Sequence, residues 1–451
     1  MNVLMMVLRM RVPLAGLVLA LVLLGLLGLA LLSLETTWTS AAEVVVRGSW
    51  GSEEGCFGRG GGADGRPCGP QALAVDSSGN VVVADSLNYR LEVFDRTGRL
   101  LEVWPLPVGV APSRSEDERA SAWALLVPCL SWGAGFRPYP DLAAPTAGRG
   151  EAVVPASAPD TGRPPYVTDL DLAGPGWRVD PRTGRLDPGT GPDVYLLAGW
   201  EGVVLVTDAA GNLRWARDLS SANRFLDLPP WSEYGAEPEP GAWAGYILGL
   251  DVLPGGGVVV SGYELLPDRL VFFVRVLSDA GGDLRELAAY SLLRDGSVRV
   301  SSDLPIALEV ESVVVGHDGL LYLVAAAPEG PAPGPFAREV WVYTSDGRSK
   351  GRLKLDVGSY ARHMQVLGVD DRGLVWCRVS TSGWPGAVLV FDGRGRQLFS
   401  IPLPQDAVVA DAFLTPKGEL YVSVAGVEGL EVVRHTAKPA RRLVFRWAGR
   451  G

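Results

Sequence analysis

Apolar and polar positions alternate in short bursts through residues 69–104, GPQALAVDSSGNVVVADSLNYRLEVFDRTGRLLEVW. Leu73–Val75 is a short apolar run. It is closed by the turn signal Asp76-Ser77-Ser78-Gly79-Asn80, whose glycine suits a position needing positive φ. Val81–Ala84 is rich in β-branched residues, which fit a packed, pleated surface. Leu91 and Val93 alternate with polar neighbours, Asp95-Arg96-Thr97-Gly98 makes a second tight turn, and Leu100–Trp104 completes a four-stranded meander. One such sheet cannot bury both of its faces, whereas copies stacked around an axis can.

The later chain repeats this plan. A second copy reads Val194–Ala198, Val203–Thr207 and Leu213–Ala216, and a third reads Ile247–Val252, Val258–Ser261, Leu270–Leu277 and Leu284–Tyr290. A fourth runs through Val310–Val315, Leu320–Ala325, Glu339–Thr344 and Gly351–Asp356, and a fifth through Met364–Val369, Leu374–Val379, Ala387–Phe391 and Gln397–Ile401. The sixth is Val408–Leu414, Glu419–Val424, Leu430–His435 and Arg441–Trp447. The equivalent turn glycines Gly373 and Gly418 stand 45 residues apart, an ordinary blade length. The pattern predicts an all-β, six-bladed β-propeller.

The stretch 69–104 resembles the NHL repeat. The residues that carry the resemblance are Pro70, Ala74, Asp76, Gly79, Ala84, Asp85, Asn88, Arg90, Phe94, Asp95 and Gly98, and the preceding Val44–Gly51 is similar to that family's strand and Gly-rich lead-in. The later copies keep the turns and lose the Asp–Asn–Arg signature, so the resemblance implies a fold more than an activity. Asp85, Asn88 and Arg90 read as ties for the loop between the second and third strands, whose backbone groups need side-chain partners.

Loop lengths divide the two faces of such a propeller. Connections from strand one to two and from three to four lie on one face, and these are nearly all tight turns. An exception is 173–192, which lengthens a turn there. Connections from strand two to three and from blade to blade lie on the other face and hold the long inserts 105–165, 220–244, 262–269 and 327–338. Elaboration confined to one face suggests a binding face. Its loops carry Trp200, Tyr263 and Trp384, with Trp231, Tyr234 and Trp243 in the 220–244 insert. Rigid rings of this kind are enriched at binding surfaces. Within 105–165, Ser115 and Glu118 form a capping-box pattern that predicts a helix over about 116–127, ended by Pro128.

A net charge of −10 argues against a nucleic-acid partner. Residues Val12–Leu34 carry no charge and are dominated by Leu, long enough to cross a hydrocarbon core. Arg9 and Arg11 precede the run and Glu35 follows it, which puts the N-terminus in the cytoplasm and the remainder outside. The rival reading is a cleaved signal peptide with Ser40 and Ala42 before the cut, but its apolar region would be shorter. The domain scheme is therefore a cytoplasmic basic segment 1–11, a transmembrane signal anchor 12–34, a linker 35–42 and a propeller 43–451. An oxidising compartment would permit a disulfide between Cys56 and Cys68, which flank a Gly-rich loop. Cys129 and Cys377 read as separate buried thiols.

His317, His363 and His435 fall at positions of the repeat that cannot meet, which sets aside a three-histidine zinc site. Asp169, Glu309, Glu311, Asp406 and Asp411 fall near blade starts, where several oxygens could hold Ca²⁺ as in lactonase-like six-bladed propellers. No nucleophile elbow, Walker loop or dinucleotide fingerprint is present. The reading preferred is a cell-membrane-anchored, extracytoplasmic binding or scaffolding module for protein or glycan, with no resident cofactor. The alternative is a metal-dependent propeller hydrolase or lyase.

Overall fold

A computed structural model describes residues 22, 32–61, 67–70, 72–106, 167, 169–180, 183, 185–187, 190–198, 203–219, 245–254, 256–266, 269–277, 284–293, 298–300, 309–316, 318–328, 336–355, 357, 363–380, 386–404 and 407–445. The chain divides into two units, Ala42–Thr436 and a smaller one made of Met1–Ala41 with Ala437–Gly451. The larger unit is a six-bladed propeller.

The chain opens with β1 (Leu32–Ser49), and β2 (Gly60–Gly61) pairs with β3 (Pro67–Cys68) in a small ribbon. Blade one is β4 (Ala72–Val75), β5 (Val81–Asp85), β6 (Arg90–Phe94) and β7 (Leu100–Pro105). Blade two is β8 (Asp169–Ala173), β9 (Asp193–Ala198), β10 (Val203–Thr207) and β11 (Leu213–Asp218). Blade three is β12 (Gly245–Val252), β13 (Val258–Leu266), β14 (Arg269–Leu277) and β15 (Leu284–Leu293), with a fifth strand β16 (Val298–Val300). Blade four is β17 (Glu309–Val315), β18 (Leu320–Pro328), β19 (Phe336–Thr344) and β20 (Ser349–Lys354). Blade five is β21 (His363–Val369), β22 (Val375–Ser380), β23 (Ala387–Phe391) and β24 (Gln397–Pro402). Blade six is β25 (Val408–Leu414), β26 (Glu419–Ala425) and β27 (Gly429–Phe445), completed by β1. The first strands β4, β8, β12, β17, β21 and β25 touch one another in a closed circle.

The turns explain why the repeat is stable locally. Asp76 accepts hydrogen bonds at Oδ1 from the amides of Ser78 and Asn80 (2.9 and 2.8 Å), and Gly79 sits at φ 88°. Asp95 does the same for Thr97 and Arg99, as do Asp208, Asp370 and Asp392 for the equivalent amides two and four residues on. The aspartate thus replaces the hydrogen bonds the chain loses where it reverses. Gly98 is held more strictly, because at φ 83° a Cβ there would also lie 2.1 Å from the carbonyl oxygen of Val45.

The core lies in layers between blades. Val82, Leu91, Leu170, Trp177 and Leu196 fill the layer between blades one and two, and Val45, Val46, Leu73, Val83, Tyr421 and Val432 fill that between blades six and one. Strands β5 and β6 are buried on both faces, which is why Val81–Ala84 reads as a continuous apolar run.

Two expectations are corrected. Blade six does not take its fourth strand from Arg441–Trp447. β27 runs unbroken from Gly429 to Phe445 because no tight-turn sequence interrupts 436–441, and β1 from the other end of the chain fills the place. The expected transmembrane segment 12–34 and linker 35–42 do not hold with those boundaries, since Leu32–Leu34 and the whole linker belong to β1. Except for Val22, residues 12–31 lie outside the described residues, and among the described residues no helix is long and apolar enough to cross a membrane. The expected helix at 116–127 and most of the 105–165 insertion also lie outside them. In the smaller unit, the beginning of β1 runs with the end of β27, and the Thr39 hydroxyl donates to the Lys438 carbonyl (3.5 Å).

Candidate functional site

The signature residues of the first repeat form a lock on the segment that leads into it. Asp85, at the end of β5, accepts from the Gly58 amide at both oxygens (3.0 and 3.1 Å) and from Asn88 Nδ2 (2.7 Å). Asn88 Nδ2 also donates to the Gly51 carbonyl (2.8 Å). The Arg90 guanidinium donates to the carbonyls of Ser52 (2.8 Å), Glu53 (2.6 Å) and Cys56. Glu92 receives the Gly55 amide (3.0 Å) and lies 3.0 Å from Arg90 Nε. These residues are ties, as their pattern implied, but the loop they hold is chiefly 51–58. Glu92 was not singled out beforehand. Its signal was a carboxylate at the middle of a strand otherwise buried. Cys56 sits in the held loop as a free thiol, 3.3 Å from Ser49 Oγ, and the side chain of Cys68 is not among those described.

The same loop that carries these ties also has exposed side chains. The β5–β6 loop lies on the elaborated face and presents Leu87 and Tyr89 to solvent, 37% and 40% exposed. Tyr89 has φ 59°, the left-handed region that non-glycine residues rarely adopt, and its carbonyl accepts from the Leu106 amide (2.9 Å). Backbone strain of this kind gathers where structure serves something other than stability. Of the aromatic residues expected on this face, Trp200, Trp384, Trp231, Tyr234 and Trp243 lie outside the described residues. Tyr263 is corrected. It lies within β13, opposite Tyr246 and Phe272, because the two strands extend to Leu266 and Arg269 and leave a connection of 267–268 where a longer insert was expected.

Four carboxylates line the innermost strands. Asp169 accepts from the Leu250 amide (2.8 Å), Asp171 from Val252 (2.9 Å), Asp251 from Val315 (2.5 Å) and Asp411 from Leu73 (2.8 Å). Each bond passes from one blade to the first strand of the next. Asp169, Asp171, Asp251 and Asp411 also accept the amide of the residue that follows each of them. Asp411 follows a bulge between Val409 and Asp411, of the kind repeated in the first strands of blades three to five, and such a bulge re-aims the side chains beyond it. All four keep some surface yet sit deep in protein. Burial pushes Asp169 well above the usual carboxylate range, with the charge of Asp411 adding to it. Burial raises Asp251 likewise, reinforced by the charge and a shared hydrogen bond of Asp171. Burial pushes Asp411 up to about 6 against the pull of its two amides and of Arg378. Asp171 and Asp251 escaped the sequence reading, although the alternation in Asp169-Leu170-Asp171-Leu172 placed two carboxylates on one face.

The other expected ligands do not join this set. Glu309 and Glu311 lie in β17 with side chains outside those described, and Asp406 and His317 are outside the described residues. His363 opens β21 opposite Ser380, and His435 lies within β27, where burial lowers its pKa. Among the described residues, no three His, Cys, Asp or Glu side chains converge in a way that could hold a metal ion.

Residues 68–94 match the NHL repeat family. The match covers the first blade's lock and exposed loop. Among solved structures, the chain is similar to virginiamycin B lyase from Staphylococcus aureus, with 11% identity over 88% of this chain and 99% of that one and a TM-score of 0.40. It is also similar to the calcium-binding protein regucalcin from Agrobacterium tumefaciens, with 12% identity over 84% and 94% of the two chains and a TM-score of 0.39. No curated protein sequence matches the chain.

Proposed function

We propose that this NHL-repeat propeller is a binding or scaffolding module whose recognition surface is the elaborated face, with a protein or glycan as ligand. The observation that supports it best is the exposed pair Leu87 and Tyr89, the latter in a left-handed backbone. In sequence, Trp200 and Trp384 fall between the second and third strands of blades two and five, as Leu87 and Tyr89 do in blade one. A propeller buries its sheets against one another and does not need rings at these sequence positions for its core. Tyr89→Ala, Trp200→Ala and Trp384→Ala should melt within about 0.5 kcal/mol of the parent, while capture of the partner weakens by about 2 kcal/mol or more for a central ring. Thermal melting and pull-down from membrane extract are read together. Unfolding of all three variants would make the rings core residues, and unchanged capture would remove the face from the proposal.

In the same reading the uncharged run 12–31 still has about the 20 residues a membrane span needs, and it holds the propeller on the extracytoplasmic side of the cell membrane. N-terminal sequencing of the mature chain tests this, and a start near Glu43 would overturn it. Non-reducing peptide mapping of the same material tests a Cys56–Cys68 bridge, which two alkylated thiols would rule out.

The alternative, a metal-dependent hydrolase or lyase, would draw on the innermost carboxylates. Asp169, Asp251 and Asp411 already accept two backbone amides each, which reduces the oxygen lone pairs open to a cation. Binding is therefore the preferred reading.

A further inference from the structure

Two loops of the elaborated face are tied together where blade six meets blade one. The Trp50 indole donates through Nε1 to the carbonyls of Gly426 and Val427 (3.2 and 3.1 Å), in the β26–β27 turn. Its ring lies against Gly69, where a Cβ would come within 2.8 Å of it. The backbone of Trp50 bridges Phe57, and the Gly51 amide donates to the Phe57 carbonyl (2.9 Å). The Gly51 carbonyl takes the Asn88 bond described above. Gly58, next along, supports Leu87, since a Cβ there would come within 2.5 Å of the leucine Cβ. Segment 50–58 therefore fixes the β26–β27 turn of blade six beside the β5–β6 loop of blade one.

The surface held in this way is apolar. Six large apolar side chains are exposed among the described residues, and three of them stand in these two loops: Leu87, Tyr89 and Val427, the last 77% exposed. The turn that carries Val427 is closed by the Gly426 amide on the Gly429 carbonyl (2.9 Å), a contact that uses no side chain. Single exposed apolar residues are ordinary, but several gathered at one junction mark a surface that something covers. Around them the charge is negative. Glu53, Glu54 and Glu428 are exposed in the same segments, against the exposed Arg59. Arg47 and Glu431 nearby offset each other (2.7 Å), and Arg90 beneath the loop is already engaged by Asp85 and Glu92. Leucine and valine side chains form no hydrogen bonds, so a glycan laid on them would leave hydroxyls unpaired. An apolar protein side chain loses nothing there, and cationic neighbours would meet the acidic rim.

We infer that the junction of blades six and one docks a protein segment in which apolar residues are flanked by lysine or arginine. The inference rests on the binding role proposed above and narrows it to one place and one chemistry. Both loops are held beforehand, so binding orders chiefly the incoming segment. The test is selection of a random dodecapeptide phage library on the immobilised full chain, followed by fluorescence anisotropy of the recovered peptides. These should combine Leu, Ile, Val or Phe with Lys or Arg and bind with a Kd of about 1–100 μM. Leu87→Ser and Val427→Ser, both at exposed positions, should melt like the parent and weaken binding about fivefold each, as loss of part of a buried aliphatic contact does. Glu54→Gln combined with Glu428→Gln should flatten the salt dependence of binding. Recovery of no peptide, recovery of peptides rich in Asp and Glu, or binding indifferent to both Leu87→Ser and Val427→Ser would overturn the inference. Pull-down from membrane extract separates it from the wider reading. Capture lost in Trp200→Ala and Trp384→Ala but kept in Leu87→Ser and Val427→Ser would remove the junction and leave the binding face standing. Capture unchanged in all four variants would remove both.

Discussion

A chain lacking residues 1–49 should fail to hold a closed propeller. β1 supplies the outer strand of blade six, and its Val45 and Val46 are 5% and 1% exposed in the layer shared with blade one. Burying two valines contributes about 3–6 kcal/mol, before the ladder with β27 is counted. That is comparable with the whole stability of many domains, about 5–15 kcal/mol. Arg47 also pairs with Glu431, and Arg434 with Glu43, although these exposed contacts add little. Urea unfolding should show a midpoint far below that of the full chain, or no cooperative transition. The point variant Val46→Asp, which buries a charge at the same seam, should go the same way without changing chain length. A truncated chain that melts within a few degrees of the parent would mean that blade six closes without β1.

Arg90→Ala should cost about 3–5 kcal/mol, the usual penalty for breaking a buried pair and leaving its partner charge behind. Here two carboxylates are stranded, Asp85 and Glu92, neither with any accessible side-chain surface. Three carbonyls of the 51–58 loop lose their donor as well. The variant Glu92→Gln separates charge from packing and should be milder. It also carries a pH signature. Burial pushes Glu92 up to about 7 from an ordinary 4.5, against the Gly55 amide and Arg90. The folded state therefore holds its proton more tightly than the unfolded chain. The associated stability is fully present below pH about 4.5, declines as pH rises to about 7 and is absent above, a span on the order of 3 kcal/mol at most. Asp411, raised to about 6, acts with the same sign in an overlapping window. Denaturant melts of parent and Glu92→Gln between about pH 4.5 and 7.5 should agree at low pH, where the neutral acid and the amide pack alike, and diverge as pH rises, with the parent losing more stability over the interval. Parallel curves would show that Glu92 does not titrate there.

The fold was readable because its punctuation is chemical. An aspartate whose side chain caps two amides, followed by a glycine at positive φ, marks the same reversal in Asp76–Asn80, Asp95–Arg99 and Asp392–Arg396, and each one dates a strand on either side. The closing strand was not readable in the same way. Leu32–Leu34 continue a leucine-rich run whose composition speaks of a membrane, and nothing local says that a partner waits at Gly429–Phe445. The inner carboxylates were half readable. Asp169 and Asp411 stood out as acids near blade starts, but their amide partners belong to neighbouring blades, a relation no single repeat contains. The cavity lined by Glu102, Trp104, Asp180, Arg185 and Asp187 was not readable either, because it joins the end of β7 to the lengthened β8–β9 connection, two places that are remote until the sheets stack.

The pairing of β1 with β27 has a consequence for synthesis. The closing strand leaves the ribosome first, and its partner, starting at Gly429, follows roughly 380 residues later. At translation rates of about 5–20 residues per second, the interval is roughly 20–80 s. Blades one to five can assemble in that time, while Val45 and Val46 have no sheet to join. The nascent chain thus exposes a β-branched edge for tens of seconds, long enough for pairing with the wrong strand to compete. Slowed elongation should lower the yield of folded protein more through this seam than through any other blade.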